Sequence, residues 1–516
     1  MTSSNNKRVA KNAIALTLRT ILTTIVGLYT SRIVLEALGV DNYGIYGVIG
    51  GVVGMASFLN AAMAGATSRF ITFELGRGNH ENLRKVFSTS LVVHIIIALI
   101  VAVFAETVGL WFVNNKMNFP EDSMFAVNVL YQFTILSMIV SFTQVPYTAA
   151  IIAHERMNIY AYFEIINVIL KLGIVYLLLI ISSNRLIVYA AMILAVSVIS
   201  AIIYRMYCIR HFRETHFELV LYKPILKSML KFSGFDMYGH MCAVFKNQLQ
   251  PIFLNMFFGV IANAGSSIAF TVTGAISGLT TTIAQAFRPQ IIKQYSTGDI
   301  SPMALTMRRS VQFTLLAYAI LALPIYFEAD SVLYIWLGQV PEYSVEFLRL
   351  IIITALSNIV INTNNAAIHA TGNIKNISFI NGTLYLISPI TAYILLKYIV
   401  NDAYIIYAVD IVCMMLVSIL GLFFIRAQIK VFPIKQYVVS IIKTGIIIVF
   451  VFIFVCVLEP NIRKTIVHTS TLYRLYLIVI VGVIETILLI TLSWLFLFDK
   501  KERSKLLSFL LHKFSK

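Results

Sequence analysis

The sequence predicts an all-α polytopic membrane protein of about 14 transmembrane helices, and three observations predict it. Of 516 residues, 59% are hydrophobic and 12% charged, with mean hydropathy +0.85. A soluble core of this length could not hide so much apolar surface. The apolar residues gather into runs of about 20 or more, the length a helix needs to cross a bilayer. Period-2 alternation is absent, so backbone groups in hydrocarbon must be satisfied within helices rather than around a barrel.

Taken in order, the first run covers 11–37 and follows the basic Lys7, Arg8 and Lys11. It exceeds a signal-peptide core and is interrupted by Arg19 and Arg32, so it is predicted to be a retained span. The second, 42–67, contains "GVIGGVVG" (Gly47–Gly54), which suits close helix packing; no strand–loop–helix context supports a nucleotide loop. Runs at 86–110, 124–147, 157–182 and 186–208 complete a first group of six. The seventh, 233–258, is the most polar and carries Pro251, a predicted bend. Runs at 261–287, 304–327, 345–369, 374–398 and 402–425 follow, and 438–458 and 473–498 stand apart as two extra spans. The tail "KKERSKLLSFLLHKFSK" is predicted to lie on an anionic leaflet as an amphipathic helix.

The net charge of +17 marks topology, not a nucleic-acid partner. The N-terminus, alternate joints and the tail carry 29 of the Lys and Arg residues, and the other joints carry 6. By the positive-inside rule both termini are then cytoplasmic and the span count is even. The joint "LGVDNYGIYG" (Leu38–Gly47) holds Asp41 and no cation, so it is predicted as an outer turn. Tyr43 and Tyr46 are expected at the membrane–water interface there, with Gly44 and Gly47 permitting close packing. Four scattered cysteines, with no CxxC and no nearby His cluster, give no disulfide framework and no metal site, and no cofactor is implied.

Sliding the chain by 220 residues aligns run 1 with run 7 and run 2 with run 8, matching Gly39 to Gly259, Gly54 to Gly274 and Gly78 to Gly298. Shared turn glycines indicate a duplication. Six spans separate the copies, so the repeat is parallel, with its pseudo-two-fold axis along the membrane normal. The expected division is a six-helix lobe at 1–210, a second at 211–428, and two extra helices with the tail at 429–516. Repeat-built transporters bind between such halves, near the midplane.

Ionisable groups at membrane depth are costly and mark cavities or pairs. The cations are Arg19, Arg32, Lys171, Lys246 and Arg349; the acids are Glu164, Asp236, Asp410 and Glu485. Arg19 and Lys246 lie deepest, on equivalent helices. Arg32 and Arg349 lie near outer ends, where such groups also snorkel or pair. Lys171 stands seven residues from Glu164 on one helical face, within reach of a local pair as well as of a substrate. Polar stripes at helical spacing add Thr134, Ser137, Ser141 and Gln144 in run 4, and Asp236, His240, Asn247 and Gln250 in run 7. Run 8 offers Ser267, Thr271, Gly274, Gly278, Thr281 and Gln285; run 10 offers Thr354, Asn358, Asn362, Asn365 and His369. These line either water or a neighbouring helix. Read physically, they describe a wet, cationic cleft. Ammonium and guanidinium suit phosphate, and amides suit sugar hydroxyls. An integral-membrane polymerase or glycosyltransferase would want acid, base or metal groups on a sizeable exposed loop, which the sequence lacks.

The basic N-terminus leading into Arg19, the "LGVDNYGIYG" joint, the small-residue second helix and "SRFITFELGRGN" (Ser68–Asn79) resemble bacterial polysaccharide (O-antigen type) flippases. These belong to the multidrug/oligosaccharidyl-lipid/polysaccharide exporter superfamily. The resemblance implies a twelve-helix core of two lobes with two extra C-terminal helices. It also implies alternating-access flipping of an undecaprenyl-pyrophosphate-linked oligosaccharide across the bacterial inner membrane. In related lipid II flippases, arginines of the first two helices and the eighth line a cationic cavity, and Arg19 matches the first-helix position in character. The expected substrate contacts are Arg19, Lys246, Arg32, Lys171, Asn247, Gln144, Asn358 and Asn362, with Asp236, Asp410 and Glu164 as candidates for H⁺ or Na⁺ coupling. Expected partners are the lipid-linked oligosaccharide, membrane lipids, and polysaccharide polymerase or assembly proteins. The alternative is an H⁺- or Na⁺-coupled drug/cation antiporter of the same superfamily, which would rely on intramembrane acids.

Overall fold

The computed structural model describes residues 3–154, 156–180, 184–218, 221–371, 373, 375–465 and 471–497. Of these, the side chains of 3–19, 61, 62, 65, 76, 230–237, 286, 289, 293, 296, 459, 461–465 and 471–473 stand outside the description. Arg19, Asp236 and the basic tail therefore lie outside what is described of side chains.

Among the described residues every regular element is helical. Lipid offers the backbone no hydrogen-bond partners, so each apolar run must close its own ladder. The helices are α1 (Ser3–Gly54), α2 (Ser57–Arg77), α3 (His80–Phe104), continued through a π-turn (Ala105–Gly109) into α4 (Leu110–Lys116), α5 (Met124–Ala153), α6 (Met157–Ile180) and α7 (Arg185–His211). They continue with α8 (Lys223–Ser296), α9 (Ile300–Phe327), α10 (Ala329–Leu337), α11 (Ser344–Thr371), α12 (Lys375–Tyr398), α13 (Ile405–Gln428), α14 (Ile434–Thr465) and α15 (Thr471–Phe496).

Twelve of the described helical stretches are long and apolar enough to cross a membrane. One, Tyr238–Ile292, has 55 residues; straight, it would reach about 80 Å, far beyond a hydrocarbon core of about 30 Å. It is not straight. Gly259 breaks it at φ 75°, ψ −167°, and Gly39 breaks α1 at φ 77°, ψ 168°. Only glycine populates that region comfortably. Each break turns one helix into two rods, and among the described residues every one of the fourteen apolar runs overlaps helical chain. The break in α8 lies at Gly259, eight residues beyond Pro251. The second run is shared between the end of α1 and α2.

The repeat reaches the hydrogen bonds. Gly78 (φ 69°) donates its N–H to Leu75 O, and Asn79 donates to Glu74 O. At the 220-residue offset, Gly298 (φ 79°) donates to Tyr295 O and Asp299 to Gln294 O. Both are glycine-terminated helix ends of one design.

The joint after Leu38 is a one-residue break rather than a loop, because helical geometry resumes at once on either side of Gly39. Its two tyrosines pack inward on the protein. Tyr43 is buried, and Tyr46 packs edge-on against Tyr189 with ring centroids 5.1 Å apart. The glycines do pack closely: a Cβ on Gly44 would lie 2.1 Å from Val260 O, and one on Gly47 would lie 2.5 Å from Ser267 Oγ.

By contacts the chain forms two compact units. The first comprises Met1–Thr271, Pro341–Phe347 and Ile374–Cys413, and the second comprises Val272–Val340, Leu348–Asn373 and Met414–Lys516. In the first, α5 packs on α7, α3 and α2, and α1 on α6. Its core joins Ile71, Leu83, Phe87, Leu91, Tyr147, Ile151, Tyr204 and Phe212. In the second, α9, α14 and α15 pack on one another and α10 packs on α15. Outward faces are apolar: Ile100, Val103 and Phe104 are each more than 60% exposed, which suits lipid and not water.

The segment after α7 is docked on the first unit. Arg84 pairs with Glu218 at 2.6 Å, while Ser88 Oγ and Thr89 Oγ1 accept the N–H groups of Glu218 and Tyr222. His154 bonds Glu214 at 2.5 Å and stacks on Phe212 with ring centroids 4.0 Å apart. Burial pushes the Glu214 carboxyl up. The hydrogen bond from His154, a backbone bond and the charges of His154 and His80 outweigh this and hold it below its ordinary value.

Candidate functional site

Two polar centres lie inside the first unit. The larger is a cavity of about 450 Å³ between α2, α5, α6 and α7. Gln144 and Ser141 come from α5, Glu164, Asn167 and Lys171 from α6, and Ser197 and Ser200 from α7. On α6, 164, 167 and 171 are spaced three and four residues apart, so the three side chains share one face. Four residues named from the sequence, Ser141, Gln144, Glu164 and Lys171, thus meet in one space. The local Lys171–Glu164 pair is not formed. Glu164 Oε1 instead accepts from the Tyr204 hydroxyl at 3.0 Å, and Lys171 makes no ion pair among the described residues. Asn167 Oδ1 is buried without a hydrogen-bond partner among the described residues, an acceptor available to a ligand hydroxyl. Near this cavity Arg205 donates from Nη2 to Thr143 Oγ1 at 2.6 Å and lies 5.7 Å from the Tyr147 ring.

The second centre brings together Lys246 of α8, Ser388 of α12 and Asp410 of α13. Lys246 Nζ donates to Asp410 Oδ2 at 2.9 Å, and Ser388 Oγ donates to Asp410 Oδ1 at 2.9 Å. Both charged residues are buried, with 7% and 4% exposure. Lys246 Nζ also lies 6.0 Å from the Tyr385 ring. Pro389 follows Ser388 inside α12 and lacks the N–H that would bond the Tyr385 carbonyl, so the ladder opens beside the pair. A buried ammonium and carboxylate compensate one another where neither could stand alone. The deep cation and one coupling acid read from the sequence are therefore each other's partners.

The remaining candidates are dispersed. Arg32 and Asn247 are exposed, Asn358 is half-buried and Asn362 exposed. The buried amide on α11 is Asn364, which donates to Ser418 O at 3.2 Å and accepts from the Tyr437 hydroxyl at 3.0 Å, tying α11 to α13 and α14. Arg349 Nε donates to Tyr326 O, a structural contact. Gly274 and Gly278 have nothing within 4 Å of where a Cβ would stand, so that small-residue stripe borders open space rather than a neighbouring backbone. Asn167, Arg205, Tyr385 and Ser388 were not singled out by sequence. Arg205 lies inside the run 186–208, toward the C-terminal end of α7. Among the described residues no three His, Cys, Asp or Glu side chains converge as a metal would require.

Solved structures share the fold, among them the following three. A lipid II flippase, MurJ, in an inward closed conformation superposes with TM-score 0.67 at 13% identity, covering 93% of this chain and 99% of that one. A multidrug resistance MATE family transporter of the MOP superfamily, inward-facing, gives TM-score 0.64 at 14% identity over 82% of this chain and 99% of that one. A MOP superfamily transporter from Pyrococcus furiosus, described as having a binding pocket of reverse polarity, gives 0.60 at 16% identity over 82% and 96%. At these identities the likeness concerns fold. No curated protein matches the sequence. The model of one family, described as polysaccharide biosynthesis protein, matches residues 9–294. With more than half of its length matched, and with the fold of MOP-superfamily transporters, this multi-pass membrane chain belongs to the polysaccharide biosynthesis protein family.

Proposed function

We propose that the chain flips a lipid-linked oligosaccharide, carried on undecaprenyl pyrophosphate, across the bacterial inner membrane by alternating access for surface polysaccharide assembly. The observation that carries this reading is the cavity in which Lys171, Gln144, Asn167 and several serines meet. An ammonium among amides and hydroxyls recognises phosphate and sugar, while Glu164, which lines the same cavity, accepts from the Tyr204 hydroxyl. Family membership supports the same substrate class. Both termini face the cytoplasm in this reading. Arg19 contributes a pyrophosphate contact; Arg32, Asn247, Asn358 and Asn362 serve as further contacts along the path.

Lys246 acts by exchange. A pyrophosphate oxygen that draws the ammonium away from Asp410 leaves a carboxylate that must take up H⁺ or Na⁺, so substrate and ion occupy the pair in turn. Asp236 and Glu164 are the other coupling candidates.

Proteoliposomes loaded with lipid-linked oligosaccharide test the reading. Lys171→Ala and Arg19→Ala should each slow flipping about ten- to a hundredfold, the worth of one charge-assisted hydrogen bond. Parent-like rates in both variants would remove the cationic-site assignment. Uptake of cationic dyes without glycolipid movement would favour a coupled antiporter.

A further inference from the structure

Among the intramembrane acids whose side chains are described, Asp410 has Lys246 and Ser388, and Glu164 has the Tyr204 hydroxyl. Glu485 has neither. It is 0% exposed, and both its carboxyl oxygens lack a hydrogen-bond partner among the described residues. It lies midway along the span Arg474–Phe496, about 16 Å from either end of that helix. Beside it the helices close up: a Cβ on Gly482 of α15 would lie 3.4 Å from Pro324 of α9.

The charged groups on the elements packed against α15 are few. The one whose charge acts on Glu485 is a second acid, Glu328, at the start of α10. Glu328 is itself fully buried, and its Oε2 accepts from Ser331 Oγ at 2.9 Å. Asp330, two residues on, is 62% exposed at the side chain and pairs with Arg474 at 3.1 Å. Arg308 and Arg309 of α9, and Lys435 and Lys443 of α14, all lie within the first ten residues of their helices. Pro324 is level with Gly482, and Arg309 stands fifteen residues back along α9, about 22 Å away, so among the described residues Glu485 has no ion-pair partner.

We propose that Glu485 is a proton-binding site at the middle of the bilayer, reached from the exposed end through Asp330 and Glu328. An ionised carboxylate there would be desolvated, unpaired and opposed by a second carboxylate, whereas the acid form removes the charge at once. A metal cation would want a fuller set of oxygens than two carboxyls and a serine, and among the described residues no third acid or histidine joins them. One proton moves from the medium at Asp330 to the Glu485 carboxylate, and the same proton leaves when the packing around Gly482 opens. The site lies outside the two centres of the first unit and needs no glycan. It deepens the coupled-transport reading without depending on the substrate assigned there.

Infrared spectroscopy of the full-length protein in lipid at pH 7 tests this. A protonated-carboxyl C=O band that shifts in D₂O is expected in the parent, lost in Glu485→Gln and retained in Asp330→Asn. An equal band in the parent and in Glu485→Gln would overturn the assignment. Should Glu485→Gln not fold, Glu485→Asp keeps the test open, since the band must then move; an unmoved band rejects the site. Loss of the parent's band on adding NaCl at constant pH would assign a monovalent cation instead and equally reject the proton. Failure of glycolipid flipping with the band intact would count against the proposed substrate and leave the proton site standing.

Discussion

Lys246 and Asp410 set the terms at the scale of single residues. Removing one partner of a buried pair leaves an uncompensated charge, at a cost of about 3–5 kcal/mol. Lys246→Met and Asp410→Asn should each lower the thermal midpoint in detergent sharply. The double variant should recover most of the loss, and a double-mutant cycle would measure the coupling. Additive losses would show that the pair contributes no coupling to the fold. Each residue was visible in the sequence as an intramembrane charge. Their pairing was not, because they stand 164 positions apart on helices whose order in the chain says nothing about which faces meet. Asn364 shows the same limit. The regular stripe through Asn358 and Asn362 drew attention, whereas the amide that ties three helices together lies just off it.

At the scale of elements, two kinds of glycine can be told apart by experiment. Gly39 and Gly259 lie where only glycine is at ease, and nothing stands within 4 Å of a Cβ at either position. Any substitution there pays in backbone strain alone, about 1–3 kcal/mol. Gly78 is left-handed helical (φ 69°, ψ 16°), a conformation asparagine tolerates. Gly78→Asn should therefore be near neutral in thermal unfolding while Gly39→Asn and Gly259→Asn are destabilising; equal effects at all three would contradict this. The docked segment after α7 gives a pH prediction. A carboxyl held below its ordinary value lends stability that is complete above that value, about 4.5, and is lost as pH falls through the lower one. Acid titration of the thermal midpoint should thus show a steeper limb below about pH 4.5 in the parent than in Glu214→Gln. Helix positions were readable from apolar run length because lipid imposes that length. The one-residue breaks were harder to read: at Gly39 the sequence shows a turn signal, but not that helix resumes immediately.

On the scale of the whole molecule, composition carried the fold class, and the 220-residue offset carried the duplication. The cavity was legible only in part. Gln144, Glu164 and Lys171 stood out as polar groups in apolar runs, but their convergence depends on how α5, α6 and α7 pack. If the cavity serves transport, Gln144→Ala should slow lipid-linked oligosaccharide flipping in proteoliposomes severalfold while leaving thermal unfolding within about 1 kcal/mol of the parent. A large loss of stability with unchanged flipping per folded molecule would instead make Gln144 a packing residue.

The paired breaks also bear on mutational robustness. Around Gly39 and Gly259 most positions are apolar and interchangeable with other apolar residues, whereas at the two glycines every alternative carries a Cβ into forbidden backbone space. A saturation scan of fitness should therefore show two isolated columns of intolerance, 220 positions apart, within broadly permissive stretches. The ancestral duplication would be readable from selection alone, long after the flanking sequence has drifted beyond recognition.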